Sequence, residues 1–189
     1  MSMPAIATGI TIDDWVNAVT GPFERAEISN GEFVLRRVGG NPRHRVAFGL
    51  AKEFDRQWPE AVVSAPGQWG LEFDAAGDLI SGRYPDVLVD GEALNTDPVF
   101  VGTPQAVVEV WSPTNTLAEM NAKRSQYSAA GAPVFVEAFL TEGGDVHLEW
   151  QELDGGRWRF VAAARGEGEL RVGGARPFAV VPNALLRRA

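Results

Sequence analysis

The chain has 189 residues, 45% hydrophobic and 22% charged, with 17 Lys and Arg against 25 Asp and Glu for a net charge of −8. That length suits a single domain with a sizeable core, and the acidic balance argues against a strong non-specific nucleic-acid coat. The absence of cysteine excludes disulfides, thiol nucleophiles and thiolate metal sites, and two histidines, His44 and His147, exclude a multi-histidine metal site. The longest apolar stretches are strand-sized, so no membrane span is predicted. Met1 to Gly9 lacks the basic start and long apolar segment of a signal peptide, which gives a cytoplasmic expectation.

Thr11 and Asp14 form a capping-box pattern that predicts a short helix to about Val19. Glu24 to Ser29 and Glu32 to Val38 flank Asn30-Gly31, the dipeptide favoured by a two-residue type I′ turn, and predict a hairpin. In that register Ala26, Ile28, Phe33 and Leu35 form the apolar face, while Arg25, Glu27, Glu32 and Arg36 share the other. Asn41-Pro42 predicts a helix start with Asn41 as N-cap. Val46, Ala47, Leu50, Phe54 and Trp58 form its apolar stripe, and Pro59 stops it. Phe33 to Lys52 carries five cations (Arg36, Arg37, Arg43, Arg45, Lys52) and no acid, a stretch open to phosphate contact or to plain solvation.

Strands are predicted at about 67–73, 84–89 and 105–111. A second helix follows from about Thr116 to Ala130, ending at Gly131. Pro133 to Phe139 predicts a buried strand. Hairpins come next: Val146 to Trp150, a turn at Asp154-Gly155-Gly156, and Trp158 to Ala162. Leu170 to Val172 and Phe178 to Val181 predict short edge strands. The order implies one α/β (α+β) domain over residues 1–189, a mixed central sheet flanked by helices, with an N-terminal hairpin and C-terminal antiparallel strands.

Two carboxylates stand in apolar strand contexts, Asp86 in Tyr-Pro-Asp-Val-Leu-Val and Glu109 in Ala-Val-Val-Glu-Val. Burying such groups is costly without a cation, a metal or hydrogen bonds. Alternation places Tyr84, Asp86 and Leu88 on one face, and Gln105, Val107, Glu109 and Trp111 on one face. If the strands are neighbours in suitable register, Asp86 and Glu109 can converge on one divalent ion, with the Val110 carbonyl a further ligand. Oxygen ligands suit Mg²⁺ or Mn²⁺. Lys123 shares a helical stripe with Thr116, Met120, Tyr127 and Ala130, where it can face a phosphate or activate water. Each residue also has a plainer reading. Asp86 can cap a turn, Glu109 can pair with Arg83 or Arg124, and Lys123 can lay its stem over apolar surface.

At these residues the chain resembles the Uma2 family of restriction-endonuclease-like PD-(D/E)xK nucleases. The likeness runs from about Thr11 to Trp158 and rests on four blocks. Glu27-Ile28-Ser29-Asn30-Gly31-Glu32-Phe33-Val34 is similar to the family's opening hairpin, with His44 placed like a histidine that often follows. Arg83-Tyr84-Pro85-Asp86-Val87 is similar to its PD strand, and Val108-Glu109-Val110-Trp111-Ser112-Pro113-Thr114 to its Glu-Val-x-Ser-Pro strand end. Lys123, Tyr127, Gly131 and Pro133 match its Lys-x3-Tyr-x3-Gly-x-Pro exit.

The resemblance implies a sheet with flanking helices, a Mg²⁺-type cofactor and DNA cleavage by Asp86, Glu109 and Lys123. Trp111 fills the position two residues after the acid where the superfamily usually has its lysine, so the resemblance passes that role to Lys123. It also makes Glu27 an auxiliary metal or water ligand, although the hairpin alone reads Glu27 as solvated charge. His44 could touch phosphate or be solvated, Ser112 begins a turn or cap, and Tyr127 packs with its hydroxyl near the site. The chain departs from the family where Val134-Phe135-Val136 and Phe139 replace Glu-Tyr-Trp and a closing aspartate, and where Ala118-Glu119-Met120 replaces Tyr-Asp-Arg. Those departures, with the acidic charge, keep open a nuclease-fold binding module without catalysis and, less favoured, a hydrolase of small phosphorylated molecules. Cutting both strands of DNA normally takes two active sites, so a homodimer, with the C-terminal strands as one candidate interface, is a further expectation.

Overall fold

The computed structural model describes residues 9–18, 24–37, 40–90, 98–111 and 115–187. Helix α1 (Ile12–Val16) opens with the expected capping box, Thr11 and Asp14 each accepting from the other's backbone N–H; Val19 lies outside the described residues. Strands β1 (Glu24–Ser29) and β2 (Glu32–Arg37) form the predicted hairpin. Asn30 and Gly31 both adopt positive φ, 55° and 72°, as the type I′ turn requires.

Helix α2 (Asn41–Gln57) has Gly40, not Asn41, as its N-cap; Asn41 is the first helical residue and Pro42 the second. The chain continues through β3 (Val62–Ser64), β4 (Trp69–Phe73), β5 (Leu79–Arg83), β6 (Val87–Asp90), β7 (Phe100–Val101) and β8 (Ala106–Trp111). Helix α3 (Leu117–Ala129) starts at a Thr116–Glu119 capping box, and Gly131 follows it at φ 78°. Then come β9 (Val134–Leu140), β10 (Val146–Asp154), β11 (Arg157–Arg165), β12 (Leu170–Val172), β13 (Phe178–Val180) and a 3-10 helix (Pro182–Leu186).

Two sheets carry the site. The larger has the order β11-β10-β9-β8-β6-β3, with β8 and β9 parallel on either side of α3 and its other pairs antiparallel. The smaller runs β2-β1-β5-β4-β7. Strands β6 and β8 are buried on both faces, which is why they read as unbroken apolar runs.

Parity divides the core between those faces. Val87, Val89, Val108, Val110, Val136 and Ala138 pack with the α2 stripe Val46, Leu50, Phe54 and Trp58 and with Phe178. Phe54 and Phe178 stack at 4.5 Å between ring centroids. Leu88, Val107, Trp111 and Phe135 face the other way, toward Tyr127 of α3 and Trp69 of β4. Trp69 and Tyr127 stack at 5.4 Å. Each of these fully buried aliphatic side chains contributes roughly 1.5–3 kcal/mol of burial. Among the described residues, no helix is long and apolar enough to cross a membrane.

The differences from expectation are local. The strand predicted at 84–89 begins later, as β6 at Val87; Tyr84, Pro85 and Asp86 form the link from β5, which ends at Arg83. The expected apolar hairpin face is half right. Ala26 and Ile28 are buried, but Phe33 and Leu35 on β2 are exposed, because β2 is the outermost strand of the smaller sheet. Strands β3, β5 and β7 gave no strong signal; β5 contains Ser81 and Gly82, both weak strand formers.

Candidate active site

The register of β6 against β8 pairs Val87 with Val108, so one further step places Asp86 beside Glu109. Both carboxylates are buried. The face they share is the one α3 covers, and α3 projects Lys123 and, one turn on, Tyr127 into it. Lys123 Nζ donates to Glu109 Oε1 at 2.7 Å, and the Tyr127 hydroxyl donates to the same oxygen at 2.6 Å. Asp86, Glu109, Lys123 and Tyr127, distant in sequence, therefore form one cluster. Neither Arg83 nor Arg124 pairs with Glu109; they bind Glu27 and Glu137 instead.

Asp86 is held on both oxygens. The Val110 N–H donates to Oδ2 at 2.7 Å, so Val110 does contact the acid, through its amide. Among the described residues the other hydrogen-bond partner of Asp86 is Arg43 in the first turn of α2, whose Nε donates to Oδ1 at 3.1 Å and whose terminal nitrogen donates to Oδ2 at 2.8 Å. The same nitrogen lies 3.9 Å from Glu109 Oε2. That oxygen is buried and has no hydrogen-bond partner among the described residues.

Glu27 corrects the sequence reading. It is buried at 3% exposure rather than solvated, because β1 is an inner strand with β5 on its other side. Its Oε2 meets Arg83 at 3.0 Å and Arg36 at 3.4 Å, and its Oε1 lies 3.5 Å from Lys123. Lys123 thus bridges Glu27 and Glu109, with its ammonium 5.8 Å from the centre of the Trp111 ring.

Charge and burial set the protonation states. Burial pulls the Lys123 ammonium down, but Glu109 and Glu27 more than offset it, so it is held charged above the usual lysine value. That favours a cationic role over the water-deprotonating role also open from the sequence. Burial pushes Glu109 up, aided by Asp86, and Lys123 and Arg43 only partly reverse it. Burial also pushes Glu27 up, yet Lys123, Arg83 and Arg36 together outweigh it and hold its carboxyl below the usual range. Burial and Glu109 raise Tyr127 far above its ordinary value, keeping its hydroxyl a donor.

The other expected residues lie elsewhere. His44 lines a separate surface groove of about 540 Å³ with Arg45, Phe48, Lys52 and Arg187. Ser112 lies outside the described residues. Two charged residues at or beside the cluster escaped the sequence reading, Arg43 within it and Glu137 next to it. Arg43 was one basic residue among several, with nothing local to single it out. Glu137 had a signal, since it stands in Val-Phe-Val-Glu-Ala-Phe, the same apolar context that marks Glu109. It is the register partner of Glu109 across β8 and β9, and it is fully buried.

Among the described residues, no three His, Cys, Asp or Glu side chains group closely enough to hold an ion alone. Two carboxylates, one with a buried oxygen that has no hydrogen-bond partner among the described residues, nonetheless offer hard donors that fit a small divalent cation once a backbone carbonyl and water join them.

A family model named Uma2, described as "Putative restriction endonuclease", matches residues 14–173. Among solved structures, the chain is similar to one from Anabaena variabilis described as a "putative nuclease belonging to DUF820". The two share 11% identity over 94% of this chain and 97% of that one, with a TM-score of 0.66, a likeness of fold. No curated protein matches the chain. The family match spans the hairpin, both acid-bearing segments and the lysine helix, and the chain belongs to the Uma2 family.

Proposed function

We propose that the chain is a divalent-metal-dependent DNA endonuclease, using Mg²⁺ or Mn²⁺ and acting in the cytoplasm as a homodimer. The observation that carries this reading is the buried Oε2 of Glu109 beside Asp86, without a hydrogen-bond partner among the described residues, with Lys123 on the other Glu109 oxygen. Asp86 and Glu109, with the Val110 carbonyl, are the residues to hold the ion. When bound, such an ion supplies Lewis acidity toward the scissile phosphate and its attacking water.

The protein's own groups do the rest. Lys123, charged and braced by Glu109 and Glu27, stabilises the charge that develops on phosphate. Tyr127 fixes the rotamer of Glu109 by donating to Oε1, which leaves Oε2 for the ion. Glu27 acts through Lys123, holding the ammonium in place.

The test is conversion of supercoiled plasmid DNA in Mg²⁺ or Mn²⁺, with EDTA as control. Glu109→Gln and Lys123→Ala are each expected to reduce cleavage at least about a hundredfold. Undiminished cutting by both variants overturns the assignment. Size-exclusion chromatography with light scattering tests the dimer, and a monomeric mass at working concentration rejects it.

One observation favours a second reading, a nuclease-fold binding module without catalysis. The carboxylates Glu27, Asp86 and Glu109 already meet protein cations, Arg36 and Arg83 at the first, Arg43 at the second and Lys123 at the third. It predicts no Mn²⁺ heat in calorimetry and no cleavage of any nucleic acid.

A further inference from the structure

We propose that Arg43 is an internal substitute for the metal: its guanidinium sits on the two acids that would hold a divalent ion, and the ion enters only by displacing it. This rests on the reading of Asp86 and Glu109 as the ion's ligands.

The geometry distinguishes Arg43 from the other cations. Arg83 is tied to Glu27 and to the Gln126 side-chain oxygen, away from Asp86. Lys123 holds Oε1 of Glu109 and leaves Oε2 alone. Among the described residues, Arg43 is the cation that contacts both Asp86 and Glu109. It grips both oxygens of Asp86, and the nitrogen on Oδ2 is also its nearest approach to Glu109 Oε2, at 3.9 Å. At that separation the guanidinium spans the gap without satisfying the second acid. Its side-chain hydrogen bonds among the described residues all go to Asp86.

Charge makes the two cations exclusive. Three buried carboxylates already face Arg43, Arg83 and Lys123, with Arg36 on Glu27 as well, and a divalent ion added to these cations would leave a buried excess of positive charge. Arg43 is carried on a flexible stem in the first turn of α2, with its side chain 15% exposed, so it has a route to solvent. Such competition lowers apparent ion affinity by the fraction of time the guanidinium is absent from the acids. It also keeps the ion-free protein from carrying two facing, unpaired carboxylates.

The experiment is a Mn²⁺ titration by calorimetry of the full chain, wild type beside Arg43→Met and Arg43→Lys, with melting in EDTA and in Mn²⁺ as the second measurement. Arg43→Met should bind Mn²⁺ about tenfold tighter or more. It should melt below wild type in EDTA and gain more degrees from Mn²⁺. Arg43→Lys keeps the charge without the two-pronged grip, should fall between the two, and carries the comparison if the methionine variant does not fold. Asp86→Asn should abolish the heat, and heat that survives it overturns the proposal. Equal Mn²⁺ affinity in wild type and both Arg43 variants overturns the competition and leaves the ion reading standing. No binding by any of the three overturns both.

Discussion

Glu109 and Glu137 are register partners on adjacent parallel strands, both fully buried and both facing α3, which supplies each with a cation from consecutive positions, Lys123 and Arg124. Their surroundings differ in one respect. Glu137 is saturated: Trp111 donates to Oε1 at 2.8 Å, and both Arg124 nitrogens and Gln151 converge on Oε2. Glu109 is saturated on Oε1 only, and Oε2 has no hydrogen-bond partner among the described residues. A buried carboxylate with every donor in place fastens a strand to a helix; one with an oxygen lacking a donor keeps that oxygen for the ion of the proposed reading.

Substitution at the two positions should therefore separate activity from stability. Glu109→Gln carries the largest expected effect, the roughly hundredfold loss of plasmid cleavage, with only a modest change in the urea midpoint. Glu137→Ala should do the reverse, costing about 2–4 kcal/mol because Trp111, Arg124 and Gln151 all lose their shared acceptor. Cleavage per folded molecule should stay within a few-fold of wild type. Urea titration followed by tryptophan fluorescence reads the stability. If Glu137→Ala instead kept its stability and lost its activity, the division of roles between the two acids would be wrong.

Much of this arrangement was legible in the chain. The capping boxes at Thr11 and Thr116, the Asn30-Gly31 turn and the α2 stripe are local signals, and local physics sets them. The convergence of Asp86, Glu109 and Lys123 followed from parity and family pattern once β6 and β8 proved to be neighbours. What stayed hidden depended on tertiary placement. Glu27 has the alternation of a solvated hairpin acid, and only the docking of β5 against β1 buries it. Arg43 is indistinguishable in sequence from Arg45 two residues on, yet the start of α2 aims the first at Asp86 and leaves the second on the groove. Phe33 and Leu35 show the converse, an apolar pattern left exposed because, among the described residues, no strand is paired beyond β2.

A smaller effect probes how Glu109 is held. Tyr127→Phe removes one donor from Oε1 and leaves Lys123 there, so stability should fall by about 1 kcal/mol. Cleavage should drop several-fold through kcat with KM little changed, since the hydroxyl orients a ligand and is not placed to touch substrate. A loss as large as that of Glu109→Gln would instead make Tyr127 a direct participant.

The smallest effect is a slope with pH, and its sign follows from Glu27. The cations around it hold the folded carboxyl below the ordinary glutamate value of 4.5. Between those two values the unfolded chain binds more protons than the folded one, so stability rises with pH across that window. The contribution of Glu27 is therefore complete above about 4.5 and is lost as pH falls through the depressed folded value. Glu27→Gln removes that contribution. Its deficit relative to wild type should be widest from pH 6 to 7 and should narrow on acidification, measured by urea unfolding in EDTA so that no ion intervenes. A deficit that widened as the pH fell would mean that Lys123, Arg83 and Arg36 do not govern this acid, and that burial does.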